Sequence, residues 1–434
     1  MRTGAIPARF GLSLLVPIPK NGSYKDKMSF EDFRGISVSS IISKIFEHLI
    51  SRLVDDKLKT SDCQLGFKKN FGCPHVIFSV KQITDYYNLG GSQVYLCTLD
   101  ITKAFDKVNF VALLAKLVYR KVPVSLLCIF ARWFKFSNIV VKWGVHRSKM
   151  YKLNAGVRQG GVLSPRLFTV FVNDMLLKLQ FCGFGCHISG TSCGCLMYAD
   201  DLILLSASLT HLQKLVNIAV DELDLIGLHV NAGKSSFMRV GRKPKFPCAK
   251  ISINGLSIDE SSCVSCLGIR LNAGYKLTFN LDISKQKFYS GVNAILARVG
   301  NKPDIVLPLC NAQCVSILLY CTEAMNLAKS VKARVAHPYL RLFAKLFHTF
   351  NRETLAYCYY YCNCLPLDYI IDLRALKFLT KLSLSKNELL RVVYSLNGEA
   401  ILSNIKNHYG IFDRPKKSWR QVLWESFCLN NDIL

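Results

Sequence analysis

Two adjacent aspartates inside an apolar run are the feature that most constrains this chain. The run is Leu196-Met197-Tyr198-Ala199-Asp200-Asp201-Leu202-Ile203-Leu204-Leu205. In the interior of a strand the two carboxylates would point to opposite faces, and one would be buried without a partner, which is costly. At a tight turn both can reach solvent or a metal ion. The pattern therefore predicts a strand pair over Leu196–Ser206 that is bent at the two aspartates.

A third aspartate ends another predicted strand, because Gln93–Asp100 shows the side-chain alternation of a strand. A divalent cation bound by Asp100 together with Asp200 and Asp201 would relieve the repulsion between the carboxylates. Mg²⁺ takes oxygen ligands and is often held by a few carboxylates plus substrate phosphates. Two such ions roughly 3.5–4 Å apart can clamp the attacking and leaving oxygens of phosphoryl transfer. The alternative is a surface hairpin with Asp-Asp at its tip.

A glycine-rich segment lies between the two acidic sites and leads into a predicted helix. It reads Val157-Arg158-Gln159-Gly160-Gly161-Val162-Leu163-Ser164-Pro165. Its glycines allow the backbone to approach a ligand closely. Its Arg and Gln side chains offer donors suited to phosphates or base edges. The segment indicates a binding loop, whereas a plain turn does not need these side chains.

The charge balance points to a polyanionic partner. Over 434 residues, 56 Lys and Arg stand against 29 Asp and Glu, a net charge of +27. The simplest partner for such an excess is nucleic acid, and the alternative is a generally solvated basic surface. Half of the residues are hydrophobic, which excludes wholesale disorder. The length predicts two or three subdomains.

These motifs, in this order, resemble the reverse transcriptases of non-LTR (LINE-type) retrotransposons. The resemblance covers roughly residues 10–275 and is specific as an ordered set. Further motifs support it: Leu15–Lys20, Phe33–Ser37, Ser43–Glu47, Gln64–Phe67, Gly227–Lys234 and Cys266–Ile269. Gly35 stands where the family usually has proline. The endonuclease of many such elements has no counterpart, so we expect a fragment of a larger polyprotein.

The resemblance implies an α+β right-hand polymerase with fingers, palm and thumb, an antiparallel palm sheet and a helical C-terminal part. The expected division is 1–95 for the fingers, with their N-terminal part truncated, 96–275 for the palm with an interleaved fingers segment, and 276–434 for a helical thumb and C-terminal extension. Periodicity predicts an amphipathic helix over Ile41–Lys57 and a second helix that includes Phe105.

The resemblance also implies the catalytic roles. Asp100 and Asp200 would bind both of two Mg²⁺ ions, with Mn²⁺ as an alternative metal, and Asp201 would support them. The 3′-hydroxyl of a primer would attack the α-phosphate of a dNTP and release pyrophosphate. Lys234 would protonate or neutralise the pyrophosphate, although a lysine in a loop is more often simply solvated.

Six residues are expected around the incoming nucleotide. Phe105 would pack under the sugar and clash with a 2′-hydroxyl, or would serve only as a core residue. Arg158 would line the pocket or make a structural ion pair. Gln159 is expected to contact the dNTP, and Gly160 lies in the same loop. Arg34 and Lys44 are expected to bind the triphosphate, and the alternative for both is a solvated basic face.

The predicted function is RNA-directed DNA polymerase, an enzyme that binds an RNA template, a DNA primer and dNTPs. One rival is an RNA-dependent RNA polymerase on the same palm, which Phe105 argues against. The other is a non-catalytic nucleic-acid-binding remnant of a truncated retroelement. The oligomeric state is not predicted.

The remaining sequence signals favour an intracellular protein in the cytoplasm, the nucleus or both. No apolar stretch of 18 or more residues is free of charged groups, and no signal peptide is evident, so neither a membrane span nor secretion is expected. The 18 cysteines are expected to be reduced. Zinc is not expected at two Cys/His groups. Cys182, Cys186, His187, Cys193 and Cys195 lie where the resemblance implies a β-hairpin, with Cys193 and Cys195 alternating along one strand. Cys358, Cys362 and Cys364, with His337 and His348, lack standard ligand spacing.

Overall fold

A computed structural model describes residues 6–20, 28–242, 250–411 and 418–433. The strands, in chain order, are β1 (Leu12–Pro19), β2 (Phe33–Ser39), β3 (Val94–Leu99), β4 (Asn138–Trp143), β5 (His146–Lys152), β6 (His187–Ile188), β7 (Thr191–Ser192), β8 (Cys195–Tyr198), β9 (Asp201–Ser206), β10 (Ser236–Val240), β11 (Ile251–Ile253), β12 (Leu256–Ile258), β13 (Cys263–Cys266), β14 (Ile269–Asn272) and β15 (Thr278–Asn280).

The α-helices, in chain order, are α1 (Ile41–Leu53), α2 (Cys73–Leu89), α3 (Phe110–Tyr119), α4 (Val124–Lys135), α5 (Ser164–Phe171), α6 (Asn173–Phe181), α7 (Leu209–Leu225), α8 (Asp282–Val299), α9 (Pro303–Gln313), α10 (Val315–Leu318), α11 (Lys329–Leu346), α12 (Arg352–Tyr361), α13 (Leu367–Ser383), α14 (Glu388–His408) and α15 (Trp419–Leu429). Short 3₁₀ turns cover Ala8–Gly11, Phe30–Asp32 and Thr322–Ala324.

A four-stranded antiparallel sheet in the order β10-β3-β9-β8 forms the centre of the molecule. The register pairs Leu99 with Leu202 and Tyr198 with Asp201. The end of β3 therefore lies beside the start of β9. Because Asp100 directly follows β3, the pairing brings it to the same edge of the sheet as the turn between β8 and β9.

Helices pack against this sheet and its strands are buried on both faces, which explains their continuous apolar runs. Helix α7 packs on β3 and β9, while α2 and α6 pack near β8. Side chains from Leu202 to Leu205 are almost fully buried. A strand buried on both faces does not need the alternation of apolar and polar residues that a half-exposed strand shows. Two charged residues can then lie only where the strands end or turn.

A second sheet, in the order β2-β1-β4-β5, is built by the N-terminal segment and a later hairpin. Strands β1 and β4 are parallel, and the other neighbours are antiparallel. Strand β5 lies at the edge and is exposed along nearly its whole length. The backbone N–H of Ser37 in β2 donates to the carbonyl of Gln159 (2.7 Å), so this sheet contacts the glycine-rich loop.

The C-terminal part is helical and packs against the N-terminal half of the chain. The ring of Phe378 in α13 lies edge-on to Phe78 in α2, with centroids 5.7 Å apart. The start of α14 is tied to Asp62, whose carboxylate accepts from the N–H of Glu388 (2.8 Å). The α+β class with an antiparallel sheet and a helical C-terminal part is confirmed. The boundaries 1–95, 96–275 and 276–434 stay predictions.

The amphipathic helix predicted over Ile41–Lys57 is present but ends at Leu53. Of its apolar side, Ile50 is buried, whereas Ile42, Ile45, Leu49 and Leu53 are largely exposed. Glu47 is buried with Ile50, because this side of the helix packs on the glycine-rich loop. The prediction that places Phe105 in a helix is wrong. Phe105 is not helical: α3 begins only at Phe110, after the Asn109 side chain caps it.

No single helix in the described parts of the chain is long and apolar enough to cross a bilayer. One bent pair of helices, Pro303–Gln313 with Val315–Ala324, would be long and apolar enough, by length and composition alone, if the two are taken together.

Candidate active site

The three predicted aspartates converge at one edge of the central sheet. Asp100 follows β3, Asp200 is the second residue of the turn between β8 and β9, and Asp201 begins β9. Asp100 and Asp200 are half-buried, whereas Asp201 is exposed. Residues separated by a hundred positions in the chain therefore form one acidic cluster, which we call the aspartate cluster (Asp100, Asp200 and Asp201).

The aspartates influence one another electrostatically. Partial burial raises the pKa of Asp200, the Asp100 carboxylate raises it further, and Arg34 acts in the opposite direction. Although Asp201 is exposed overall, protein atoms around its carboxyl group displace part of its solvent and raise its pKa to about 6, with contributions from Asp200 and Asp100. Carboxyl groups whose pKa is raised by neighbouring carboxylates are short of positive charge, and a cation would supply it.

The donor set fits a hard divalent cation, because all three side chains offer carboxylate oxygens. Within the described ranges, however, no three Asp, Glu, His or Cys side chains are grouped closely enough to hold a metal ion. Neither the aspartate cluster nor either Cys/His group is an exception. Since Mg²⁺ is commonly bound by one or two carboxylates plus substrate phosphates, the arrangement fits a site that substrate completes.

The backbone of Asp100 is held on both sides by one loop. The Asp100 N–H donates to Ser235 Oγ (3.2 Å), and the Asn231 N–H donates to the Asp100 carbonyl (2.8 Å). Ser235 Oγ in turn donates to the Asn231 carbonyl (2.8 Å). The predicted residue Lys234 lies exposed in this same loop. The structure therefore brings the loop of Lys234 next to the aspartate cluster.

Phe105 lies in the turn that follows Asp100 and belongs to an aromatic group. Its ring stacks on Phe168 (centroids 4.7 Å apart) and meets the edge of Phe67 (5.9 Å). Its carbonyl accepts from the N–H of Val157, at the start of the glycine-rich loop (2.8 Å). Ring contacts on two sides hold the half-buried side chain of Phe105 in place.

Gln159 and Gly160 lie close to this turn. The Gln159 side-chain amide donates to Asp106 Oδ1 (3.5 Å). Gly160 has a φ of 118°, and a Cβ there would lie 2.5 Å from the carbonyl oxygen of Ser37. Only glycine fits at this position, because the loop passes so close to β2.

Arg158, in contrast, is turned into the protein. It is buried, and its guanidinium donates to the carbonyls of Phe10 (3.1 Å) and Gly11 (2.6 Å). Burial lowers its pKa, and the nearby Glu47 opposes that effect. The structure favours the structural role that the sequence left open for Arg158, and it does not support a direct contact with nucleotide.

The two cations expected at the triphosphate differ in their placement. Arg34 is exposed on β2, and its charge acts on the pKa of Asp200. Lys44 is half-buried in the first turn of α1 and is not among the groups that shift the pKa of Asp200 or Asp201. The geometry therefore relates Arg34, but not Lys44, to the aspartate cluster.

Glu47 is a site residue whose importance the sequence did not reveal. Its side chain is buried, and Oε2 accepts from the N–H groups of Val162 (2.5 Å) and Leu163 (2.9 Å). A buried carboxylate is costly unless it is hydrogen-bonded, so these bonds and the nearby Arg158 account for its place. Glu47 is the single acidic residue of α1, and that was the available signal.

Comparison with known proteins gives a family match over residues 18–271, to the family described as reverse transcriptase (RNA-dependent DNA polymerase). The chain is 25% identical over 262 residues to the Pol polyprotein of the retrotransposable element R2DM of Drosophila melanogaster, covering 60% of this chain and 24% of the relative. It is 26% identical over 291 residues to the polymerase of the mobile element jockey of the same species, covering 65% of this chain and 31% of the relative.

A third relative is the probable polymerase from transposon BS of Drosophila melanogaster, 26% identical over 324 residues, with 71% of this chain and 34% of the relative covered. The chain thus spans about a quarter to a third of the length of these relatives. Among solved structures, apo telomerase from Candida tropicalis superposes with a TM-score of 0.48 at 14% identity, covering 97% of this chain and 70% of that one.

We expect Asp201→Asn to stabilise the metal-free protein at neutral pH. The folded-state pKa of Asp201 is about 6 against an ordinary 3.8, so the carboxylate destabilises the fold above pH 6 and has no such effect below pH 4. The gain in unfolding free energy should be about 1 kcal/mol at pH 7.5, since exposure weakens the effect, and should vanish near pH 4. Urea unfolding at both pH values measures it.

The matched control is Asp221→Asn, at an exposed aspartate on α7, which should change stability little at either pH. A gain for Asp201→Asn that is the same at pH 4 and pH 7.5 would contradict the electrostatic account.

Glu47→Ala should destabilise the protein by about 3 kcal/mol, because it removes the acceptor of one buried and one partly buried N–H group and the charge near the buried Arg158. Glu47→Gln keeps an acceptor oxygen and should cost less, about 1–2 kcal/mol. Denaturant unfolding compares the two. Equal stability of Glu47→Ala and the unmodified protein would show that the bonds to the glycine-rich loop matter little.

Proposed function

Because the chain belongs to the reverse transcriptase family, we propose that it is the polymerase part of a retrotransposon protein and that it copies RNA into DNA. The observation that carries this proposal is the aspartate cluster at the edge of the central sheet, with the Phe105 ring in the adjoining turn. The relatives named above are polyproteins and polymerases of mobile elements, which supports the same assignment.

The aspartate cluster would bind divalent cations, most simply two Mg²⁺ ions, together with the phosphates of an incoming nucleotide. When bound, the ions supply positive charge that activates the primer hydroxyl and stabilises the reacting phosphate. The chain's own contribution is to hold carboxylate oxygens at one place: the Asn231–Ser235 loop fixes the backbone of Asp100, and the β8–β9 turn presents Asp200. The charge of Arg34 acts on Asp200 in this cluster, and its guanidinium suits an anionic triphosphate.

The choice of deoxynucleotides is assigned to Phe105. Its ring is fixed between Phe67 and Phe168, so it cannot easily move aside for a larger sugar. A rigid ring under the sugar would clash with a 2′-hydroxyl, the group that distinguishes ribonucleotides. This reasoning favours DNA synthesis over the rival RNA polymerase activity.

The RNA template is proposed to contact the hairpin of β4 and β5. Residues 107–173, which include this hairpin, contain 12 Lys and Arg and no Asp or Glu. Its cations Lys142, Arg147, Lys149 and Lys152 are all exposed, and none of them forms an ion pair with a described acidic residue. Exposed aromatic rings at Trp143 and Tyr151 accompany them. Cations with interspersed aromatic residues suit a single strand.

Primer extension on an RNA template with dNTPs and Mg²⁺ tests the catalytic proposal. Asp200→Ala should reduce extension at least about a thousandfold while leaving template binding intact, because it removes a cation ligand. Phe105→Ala should retain extension but accept ribonucleotides more readily. Phe181→Ala, at an exposed phenylalanine at the end of α6, is the matched control and should preserve the preference for dNTPs.

Absence of extension by the unmodified chain, despite salt-sensitive RNA binding, would favour the alternative of a non-catalytic nucleic-acid-binding remnant. Extension that prefers ribonucleotides in the unmodified chain would favour the RNA polymerase.

Substituting two cations on one face of β5, Arg147→Gln with Lys149→Gln, should weaken binding to single-stranded RNA and reduce the salt dependence of log Kd by about 1.4, or about 0.7 per lost phosphate contact. Fluorescence anisotropy over a range of salt concentrations measures both quantities. The control pair is Lys381→Gln with Lys386→Gln, exposed lysines near the end of α13. An equal loss in the control pair would show that only overall charge matters.

A further inference from the structure

The turn that presents Asp200 has an unusual backbone. Ala199 is the first of the two residues that join β8 to β9, and its φ is 60°. Two-residue hairpin turns require a positive φ at this position, which is why glycine usually occupies it. A residue with a Cβ is disfavoured there. Something in the surrounding structure must therefore hold Ala199 in this conformation.

The side chain of Gln64 is placed to do so. Its Nε2 donates to the Ala199 carbonyl (3.2 Å), and its Oε1 accepts from the Ala199 N–H (3.2 Å) and from the Gly66 N–H (2.9 Å). Gln64 is fully buried. The amide thus binds both polar groups of one backbone residue, which requires a donor and an acceptor on the same side chain.

The segment around Gln64 is itself fixed against β8. The Met197 N–H donates to the Cys63 carbonyl, and the Leu65 N–H donates to the Met197 carbonyl, both at 2.8 Å. Gly66 lies directly beneath the turn: a Cβ there would be 2.1 Å from the Ala199 nitrogen. Gln64 and Met197 therefore form an isolated parallel β-bridge, and the segment Cys63–Gly66 that carries it supports the turn.

We propose that Gln64 is a positioning residue that holds Ala199 in its left-handed conformation and thereby fixes the direction in which Asp200 points. Gln64 need not touch any substrate, because it acts through the turn. The catalytic consequence rests on the proposed function, whereas the effect on the turn does not. Gly66 is the second part of this arrangement, since only glycine leaves room for the turn.

The central test combines Gln64→Met with Ala199→Gly. Methionine has a similar length but neither donor nor acceptor, so Gln64→Met should lower kcat of primer extension by about ten- to a hundredfold. KM for the template–primer should be unchanged. Glycine adopts positive φ without strain. If Gln64→Met lowers kcat a hundredfold, adding Ala199→Gly should therefore raise it again by at least about tenfold.

A second readout does not depend on activity. Hydrogen exchange of the Ala199 amide should be slow in the unmodified chain, because Gln64 Oε1 accepts from it. Exchange should be faster in Gln64→Met, and should stay fast after Ala199→Gly is added, although activity recovers. If the unmodified chain extends no primer, the exchange result still decides the role of Gln64, so failure of the proposed function is distinguished from failure of this inference.

Three results would overturn the proposal: full activity of a folded Gln64→Met protein, loss of activity that Ala199→Gly does not relieve, or rapid exchange of the Ala199 amide in the unmodified chain.

Should Gln64→Met fail to fold, Gly66→Ala provides an independent variant. It should lower kcat through its clash with Ala199, without rescue by Ala199→Gly. Gly72→Ala, where a Cβ meets only Pro74 at 3.4 Å, is the control.

Discussion

The main constraint on this structure is that its fold brings three carboxylates, which repel one another, to one edge of a sheet. The register of the central sheet places the end of β3 beside the start of β9, so Asp100, Asp200 and Asp201 share one edge. Burial and neighbouring charge raise the pKa of Asp200 and Asp201. Stability alone would favour a fold in which these carboxylates lie far apart. Their convergence is understandable if the protein is made to bind cations that arrive with an anionic substrate.

Around this cluster, side chains from distant segments hold backbone loops in place. Ser235 fixes Asp100, Glu47 holds the N–H groups of the glycine-rich loop, and Gln64 holds the turn of Asp200. In each case a side chain satisfies backbone groups that have no partner in regular secondary structure. Rigid loops are what phosphoryl transfer requires, since its catalysis consists mainly of positioning and charge.

The sequence predicted those features that depend on local pattern. The bent strand pair at Asp200 follows from burying an apolar run without burying a charge, and the helix that begins at Ile41 follows from periodicity. The sequence did not reveal Glu47 and Gln64 as structural partners of the loops, because their contacts join residues more than 100 positions apart. Arg158 carries the right chemistry for phosphate but faces inward. Ile42 and Ile45 lie on the exposed side of α1, while Glu47 on its buried side accepts from the glycine-rich loop.

The account's central claim is that substrate completes a cation site at the aspartate cluster. Titration of Mn²⁺, followed by electron paramagnetic resonance, tests it in the presence of template and a primer whose 3′-hydroxyl has been removed. The account predicts that adding the matching dNTP increases Mn²⁺ affinity at least tenfold, and that this increase disappears in Asp200→Asn. The same Mn²⁺ affinity with and without dNTP, or an undiminished increase in Asp200→Asn, would contradict it.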